Sequence, residues 1–521
     1  MSQLLLQDLL LYDGSGCTAP FRADLLLEGD TVLQVEKASS TVFPGAVKRS
    51  FPAGCSVSPG WIDVHAHSDG SILADPNAYS KVTQGITCEI SGNCGLSAFP
   101  LYTGEVREHL KELYKVFDLK MDWTDFRSYA DKVDQAAPAI NQVYLCGHNT
   151  LRANAAGYGN PPVTEQILTR MKEDLNELLR QGAAGFSTGL LYTPGCFSGR
   201  EELLELLKIT AHFQKVHATH LRSEGNFLLE AVNEMLDYSR VSGCALQISH
   251  IKTAGERNWH KLPELLCLIR QARENGLKVH ADRYPYTFSQ TSLSIVLDEP
   301  FDKMDDRSIR NFLRQDQQLY ERTLLRLRHV RRNWNNVILT ATGAEGYTHL
   351  TGQSIRSAAD ACAMEPEQLV MLLLREDSPG TMAAFGGLSG ENLKTLLQQD
   401  YLCCGSDETA RPADYSLGKS HPRGFGSMIR FIRMCRDLSI PMAEIIRRIT
   451  LLPATVYSLP QRGLIAPGMK ADLTIFQEEL LQDHADFQTP HAPCSGITEL
   501  YINGIPHSSG IRSGKVIKVQ G

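Results

Sequence analysis

Two histidines separated by one residue, His65 and His67 in WIDVHAHSDG, close a short apolar run. On a β-strand the two-residue period turns both imidazoles to the same side, the arrangement of a metal-binding pair. Single residues of metal-ligating type close or follow other short apolar runs: Cys94 after TCEIS, His220 ending HATH, His250 ending ALQISH, and Asp407 after YLCCGS. Taken singly, each has a plain structural reading as a buried thiol, a core histidine or a polar strand cap. As a set of six at equivalent strand ends they point to a metal centre. Imidazole, thiolate and carboxylate together suit zinc, with the thiolate as its softest ligand.

Positioning six such residues requires elements whose ends converge. The short runs WIDVHAH, TCEISGNCG, QVYLCGH, GFSTGL, HATHLR, ALQISH, KVHADRYPY and YLCCGSD number eight, and amphipathic helical patterns such as TEQILTRMKEDLNELLRQG, REELLELLKITAHFQ and NFLLEAVNEMLDYS lie between them. Eight strands with helical crossovers predict an α/β fold, a (β/α)8 TIM-type barrel, whose strand C-termini meet at one mouth. The interval between the seventh and eighth strands is too long for one crossover, so residues 290–350 are expected to form an insertion near the mouth, with a basic helical stretch YERTLLRLRHVRRNW. A solvated decoration away from the site is the alternative reading of that stretch. Residues 1–56 and 455–521 read as short strands, including an Asn503-Gly504 hairpin and a terminal GKVIKV, and are expected to pair into one sheet flanking a barrel at 57–454.

Composition narrows the function classes. Of 521 residues, 42% are hydrophobic and 21% charged, which suits a large folded core and excludes a disordered chain. The net charge of −7 argues against nucleic acid or an anionic membrane surface as main partner, so an anionic ligand must meet local cations. No apolar run is long enough to span a bilayer. The first residues, MSQLLLQDLLLYDGSG, lack the basic start of a signal peptide, and 13 cysteines show neither CxxC spacing nor a disulfide framework. A reducing, cytoplasmic setting is the expectation.

The motifs PGWIDVHAHSDG, TQGITCEISGNCG, GHNTLR, GAAGFSTGLLYTPG, THLRSEG, ISHIK, DRYPYT, GSDE and HPRGFG occur in that order. Together they resemble the motif set of the N-acyl-D-amino-acid deacylases, the D-aminoacylases of the amidohydrolase superfamily, from about residue 55 to 430, and LLPATVYSLPQRGLIAPGMKADLTIF extends the likeness. The resemblance implies a zinc-containing barrel beside a small β-sandwich built from both chain ends. It implies that Cys94, His220 and His250 hold the tighter zinc, while His65, His67 and Asp407 surround a second, weaker position that Cys94 bridges, with one or two metals bound. Many two-metal relatives use a carboxylated lysine on the fourth strand; GFSTGL has none, which leaves the bridge to Cys94.

The implied reaction is hydrolysis of a linear amide in a small N-acyl amino acid to a carboxylic acid and a free D-amino acid. Zinc would polarise the carbonyl and acidify water, Asp407 would act as base and then acid, and the Tyr192 hydroxyl would steady the oxyanion. Lys252 and Arg423 match the family's carboxylate-binding positions, with Tyr284 as a third contact. Arg222 and Glu224 are expected either to orient ligands or to form a rim salt bridge; His148 and Arg152 are expected to be structural.

Three departures from the pattern stand out. Ser68 precedes Asp69 where the family has an acidic residue directly after H-x-H. Phe288-Ser289-Gln290-Thr291 replaces a segment in which a small serine helps bind substrate, and Glu408 follows Asp407 where glycine is usual. The segment 288–291 predicts a different side-chain preference, and Glu408 is expected either to raise the pKa of Asp407 or to repel acidic substrates. Two other functions compete: opening of a cyclic amide, as dihydroorotase and hydantoinase relatives do, and a metal-free scaffold on the same fold. Preference for D substrates rests on the resemblance alone, and oligomeric state is not legible.

Overall fold

The computed structural model of the chain describes residues 3–39, 41 and 43–520. All eight expected barrel strands form, at Trp61–Asp63, Ile86–Ser91, Asn141–Tyr144 continued by Cys146–Gly147, Gly185–Gly189, Val216–His220, Ala245–Ile248, Val279–Arg283 and Leu402–Cys404. Each pairs in parallel with the next in that order. The first and eighth are joined by the Val64 N–H donating to Cys404 O at 3.3 Å and the Asp407 N–H donating to His65 O at 2.7 Å, which closes the ring. Burial on both faces explains why these strands read as continuous apolar runs. The intervening helices include Glu165–Arg180, capped by the Thr164 side chain accepting from the Ile167 N–H, Arg200–His212 and Leu228–Ser242.

Both chain ends contribute to a second sheet. Its strand order is Ile505–Pro506, Ile497–Ile502, Leu473–Gln477, Cys55–Pro59, Gln3–Leu11, Phe21–Glu28 and Thr31–Lys37, with Val47–Ser50 also beside Gln3–Leu11. Head and tail meet where Leu473–Gln477 runs antiparallel to Cys55–Pro59. Leu6, Leu25, Val57, Ile475 and Tyr501 form its apolar core. The hairpin turn falls on Asn503 and Gly504, both at positive φ (49° and 79°), as a tight two-residue connection requires.

Two expectations need correction. The terminal GKVIKV does not join this sheet. It runs along the barrel floor, where Gln142 N–H donates to Lys515 O, Ile517 N–H to Gln142 O and Val519 N–H to Gly182 O. Ile517 and Val519 there pack with Ile62, Val143, Val216 and Tyr457. The insertion also extends past 350: Phe288–Ser292, Val337–Ala341 and Met382–Gly386 make a three-stranded antiparallel sheet covered by Asp306–Gln315, Gln317–His329 and Pro366–Asp377. It has an apolar core of its own around Leu339, Leu369 and Leu373. Its second half reads in sequence like further barrel helices, so only the topology separates it. No helix among the described residues is long and apolar enough to cross a membrane.

Candidate metal centre and active site

The six donors meet at the barrel mouth. One ligand atom each from His65, His67, Cys94 and Asp407 lies within 4.8 Å of the others, and the same holds for Cys94, His220 and His250. Cys94 Sγ is the common member, 3.3 Å from His65 Nε2 and 3.4 Å from His250 Nε2. Asp407 Oδ1 lies 3.1 Å from His67 Nε2 and 3.4 Å from His65 Nε2. Three of the six occupy left-handed backbone: Cys94 at φ 53°, His250 at φ 35° and Asp407 at φ 55°. Such strain costs of order 1–3 kcal/mol per residue and persists where the surroundings dictate it. For Cys94 the cause is visible: a Cβ on Gly189 of the fourth strand would lie 2.0 Å from Cys94 O, so the ligand's turn seats directly on a bare backbone position.

The surroundings orient each imidazole. His65 Nδ1 is 3.1 Å from Asp282 Oδ1, and the same oxygen accepts the His250 N–H at 2.8 Å. His250 Nδ1 is 2.9 Å from Glu224 Oε1. Both rings therefore turn Nε2 toward Cys94, the carboxylate–histidine arrangement that raises ligand basicity. His220 is 5% exposed, and neither of its ring nitrogens has a hydrogen-bond partner. A buried imidazole left unsatisfied beside a thiol is costly unless a cation completes it. The donor set thus fits zinc on chemistry and on this orphan.

Electrostatics agree. Burial opposes ionisation of Cys94, yet His65 and His250 together with the histidine hydrogen bonds hold its thiol well below the usual range. Burial likewise disfavours charge on His67, but Asp407 and Cys94 outweigh it and lift that imidazole to about 9. His250, opposed by burial and Lys252 but favoured by Glu224, Cys94 and Asp407, also stands at about 9. Without a cation the cluster must borrow protons to neutralise a thiolate. Contrary to the rise expected from Glu408, Asp407 is held, despite burial, well below the ordinary carboxylate range by Arg423, His250, His67 and His65.

The residues expected to bind substrate lie around this cluster. The Tyr192 ring sits edge-on to His220 at 4.7 Å, and its hydroxyl is 3.3 Å from Thr291 Oγ1 of the insertion. Lys252 Nζ pairs with Glu224 and lies 2.9 Å from His250 Nδ1. Arg423 Nη1 is 2.7 Å from Asp407 Oδ2, without hydrogen-bond geometry, so that Nη1 and Nε remain unpartnered. Tyr284 is buried with its hydroxyl unpartnered. Burial raises its pKa, but Lys252, Arg283 and Arg423 more than offset this and leave the phenol below its usual value. Arg283 and Arg423 stack on its ring at 4.0 and 4.7 Å.

Of the two open positions, Glu224 supports His250, whereas Arg222 makes a rim pair with Glu234 at 3.1 Å. His148 and Arg152 share Glu202 and stay structural. Ser68 donates to Glu89 and accepts from the Ala410 N–H, tying strand ends together. Sequence reasoning missed Asp282, whose signal was a carboxylate at the end of a barrel strand. It also missed the buried Asp63–Lys81–Glu89 network, in which Lys81 Nζ reaches Asp63 Oδ2 at 2.7 Å and Ser406 Oγ at 2.9 Å.

A closed parallel barrel with mixed His, Cys and Asp donors at its C-terminal rim defines a metal-dependent hydrolase of the TIM-barrel class. Residues 53–504 match the amidohydrolase family model, and the chain belongs to that family. It is 29% identical over 488 residues to an N-acyl-D-glutamate deacylase of Alcaligenes xylosoxydans xylosoxydans, covering 93% of this chain and 89% of the relative. A D-aminoacylase of the same organism is 28% identical over 506 residues, covering 96% and 94%. Among solved structures, the N-acyl-D-glutamate deacylase of Bordetella bronchiseptica, complexed with zinc and a phosphonate mimic of the tetrahedral intermediate, superposes with TM-score 0.82 at 26% identity over 99% of both chains. A dihydropyrimidinase of Brevibacillus agri, at TM-score 0.58 and 12% identity over 99% of both chains, shares the fold.

Proposed function

We propose that this chain is a zinc-dependent hydrolase that cleaves the linear amide of N-acyl-D-amino acids to a carboxylic acid and a free D-amino acid. The observation that carries the reading is Cys94 Sγ standing in both donor groups, beside a buried His220 with two unpartnered nitrogens. The N-acyl-D-glutamate deacylase and the D-aminoacylase are 29% and 28% identical over nearly the whole chain, whereas the dihydropyrimidinase, at 12% identity, shares only its architecture, which favours the linear amide. Cys94, His220 and His250 would hold the tighter zinc, and His65, His67 and Asp407 a weaker one. When bound, zinc polarises the scissile carbonyl and acidifies water within its reach, so that a weakly basic carboxylate suffices to take the proton.

The chain's own groups do the rest. Asp407, ionised at neutral pH, accepts the proton of the attacking water and returns it to the departing amine. The free Arg423 nitrogens, the Tyr284 hydroxyl and Lys252 hold the substrate α-carboxylate, the guanidinium offering a fork. Tyr192, rotating from Thr291, donates to the oxyanion. Strand Phe288–Ser292 lies against the site through Thr291 beside Tyr192 and Gln290 beside Glu408. A reducing, cytoplasmic setting belongs to the same reading, because the 13 cysteines are free and Cys94 must stay a thiolate.

Paired N-acetyl-D- and L-amino acids, with dihydroorotate and hydantoin alongside, test the proposal on purified protein before chelation, after it, and after zinc return. Turnover of D substrates that is lost with chelation and restored by zinc is expected. Activity confined to the cyclic amides, or indifferent to metal removal, would overturn it.

A further inference from the structure

Insertion strand Phe288–Ser292 brings Gln290 against Glu408, the neighbour of Asp407, a pair that the reaction above does not use. Gln290 Nε2 donates to Glu408 Oε2 at 3.0 Å. A carboxylate only accepts, so Gln290 must turn its NH2 to Glu408, which leaves Oε1 as a free acceptor. That oxygen is buried and unpartnered. Glu408 is 4% exposed, its Oε1 accepts the Thr409 N–H at 3.1 Å, and its Oε2 lies 3.9 Å from Arg423 Nε. The next residue of the strand, Thr291, reaches Tyr192. The strand therefore passes over the site from the Arg423 side to the Tyr192 side. On the deacylase reading, on which this inference rests, those residues grip the amino acid's α-carboxylate and the acyl group's scissile carbonyl. The strand lies across the span between them, where the substrate's Cα would present its side chain.

We propose that Gln290 and Glu408 select that side chain, rejecting a second carboxylate and favouring neutral side chains that can donate a hydrogen bond. Most of the cations nearby already face a carboxylate or a protein oxygen. Arg423 faces Asp407 and Glu408, and Lys252 is paired with Glu224. Arg411, whose charge is felt at Glu408, donates to Thr409 Oγ1 and to the Leu417 carbonyl. Arg283 donates through Nη2 to the Tyr286 carbonyl and stacks on Tyr284, its Nε and Nη1 buried and unpartnered. Binding the α-carboxylate draws on Arg423 and Lys252, so an acidic side chain meets Glu408 where, of these four, only Arg283, 1% exposed and stacked on Tyr284, faces no carboxylate. Juxtaposed like charges in a water-poor site discriminate strongly. This sets the chain apart from relatives named for N-acyl-D-glutamate and N-acyl-D-aspartate.

The test compares kcat/KM of the zinc-loaded full chain for N-acetyl-D-glutamine and N-acetyl-D-glutamate, which match in shape and differ in charge, with N-acetyl-D-methionine as the neutral reference. Glutamine is expected to exceed glutamate by ~100-fold, the order a misplaced buried charge produces. Glu408→Gln, at unchanged zinc content, should shrink that ratio by ~10-fold or more, chiefly through KM for glutamate. Gln290→Lys, which neutralises Glu408 from the insertion, should shift the ratio the same way and serves if Glu408→Gln does not fold. Glutamate cleaved within about threefold of glutamine, or a ratio unmoved in both variants, would overturn the selectivity while leaving the deacylase reading intact. Hydrolysis of none of the three would remove that reading, and this inference with it.

Discussion

Asp407 touches His65, His67 and the Arg423 guanidinium, and its proposed role as proton carrier can be separated from its proposed role as ligand. Asp407→Asn keeps an oxygen toward His67 but loses basicity; zinc content should hold at the tight position while kcat falls by ~10²–10⁴, the usual worth of a positioned acid–base group. Near-normal turnover by this variant would exclude the role. Asp282 acts one shell further out. Asp282→Asn removes the carboxylate from His65 Nδ1 and should weaken metal binding by ~10–100-fold, measured by competition with a chelator. At this scale the sequence was informative about residue types and poor about partners. His65, His67, Cys94, His220, His250 and Asp407 are chemically distinctive and sit at strand ends, so their convergence follows once the barrel is inferred. Asp282 supports His65 across 217 positions of chain, and Gln290 meets Glu408 across 118; no local pattern encodes such contacts.

Elements were legible where one periodicity excluded others. The continuous apolar runs of the barrel strands and the amphipathic crossover helices formed as their patterns require, because burial on two faces or one imposes them. The two misreadings share a cause. Alternating GKVIKV suits a strand in either sheet, and only the nonlocal bonds to Gln142 and Gly182 assign it to the barrel floor. The helices Ile355–Ala361 and Pro366–Asp377 carry no local mark that they cover Leu339 and not a barrel strand. Strand four supplies an element-scale prediction: Gly189→Ala would drive a methyl into Cys94 O, pushing the turn that aims the thiolate. Zinc affinity should drop by ~10-fold or more, the scale seen when groups that orient metal ligands are lost. Unchanged affinity with an intact fold would show that the turn does not depend on that bare position.

Across the whole molecule, several buried histidines are kept neutral and oppose acid. His217 in the fifth strand is held down at about 3, first by burial and then by His148, and its Nε2 lies 2.9 Å from Thr188 Oγ1. His280 and His491 are both lowered to about 4, mainly by burial. The unfolded chain binds protons at these sites from about 6.5 downward while the native one does not, so stability rises with pH through that window. The contribution is complete above 6.5 and lost as pH falls toward 3. His217 alone should account for about 1.4 kcal/mol per pH unit between roughly 6 and 4. Denaturant unfolding of zinc-loaded protein at pH 7.5, 6 and 5 should show the slope, reduced in His217→Gln; equal stability at all three values would contradict it. The most direct measurement of the centre itself is X-ray absorption at the zinc edge on the purified protein. A sulfur scatterer at about 2.3 Å with nitrogen or oxygen neighbours near 2.0–2.1 Å, the sulfur shell absent in Cys94→Ser, is the predicted result. Zinc bound without sulfur in the wild type, or no bound zinc at all, would contradict the account.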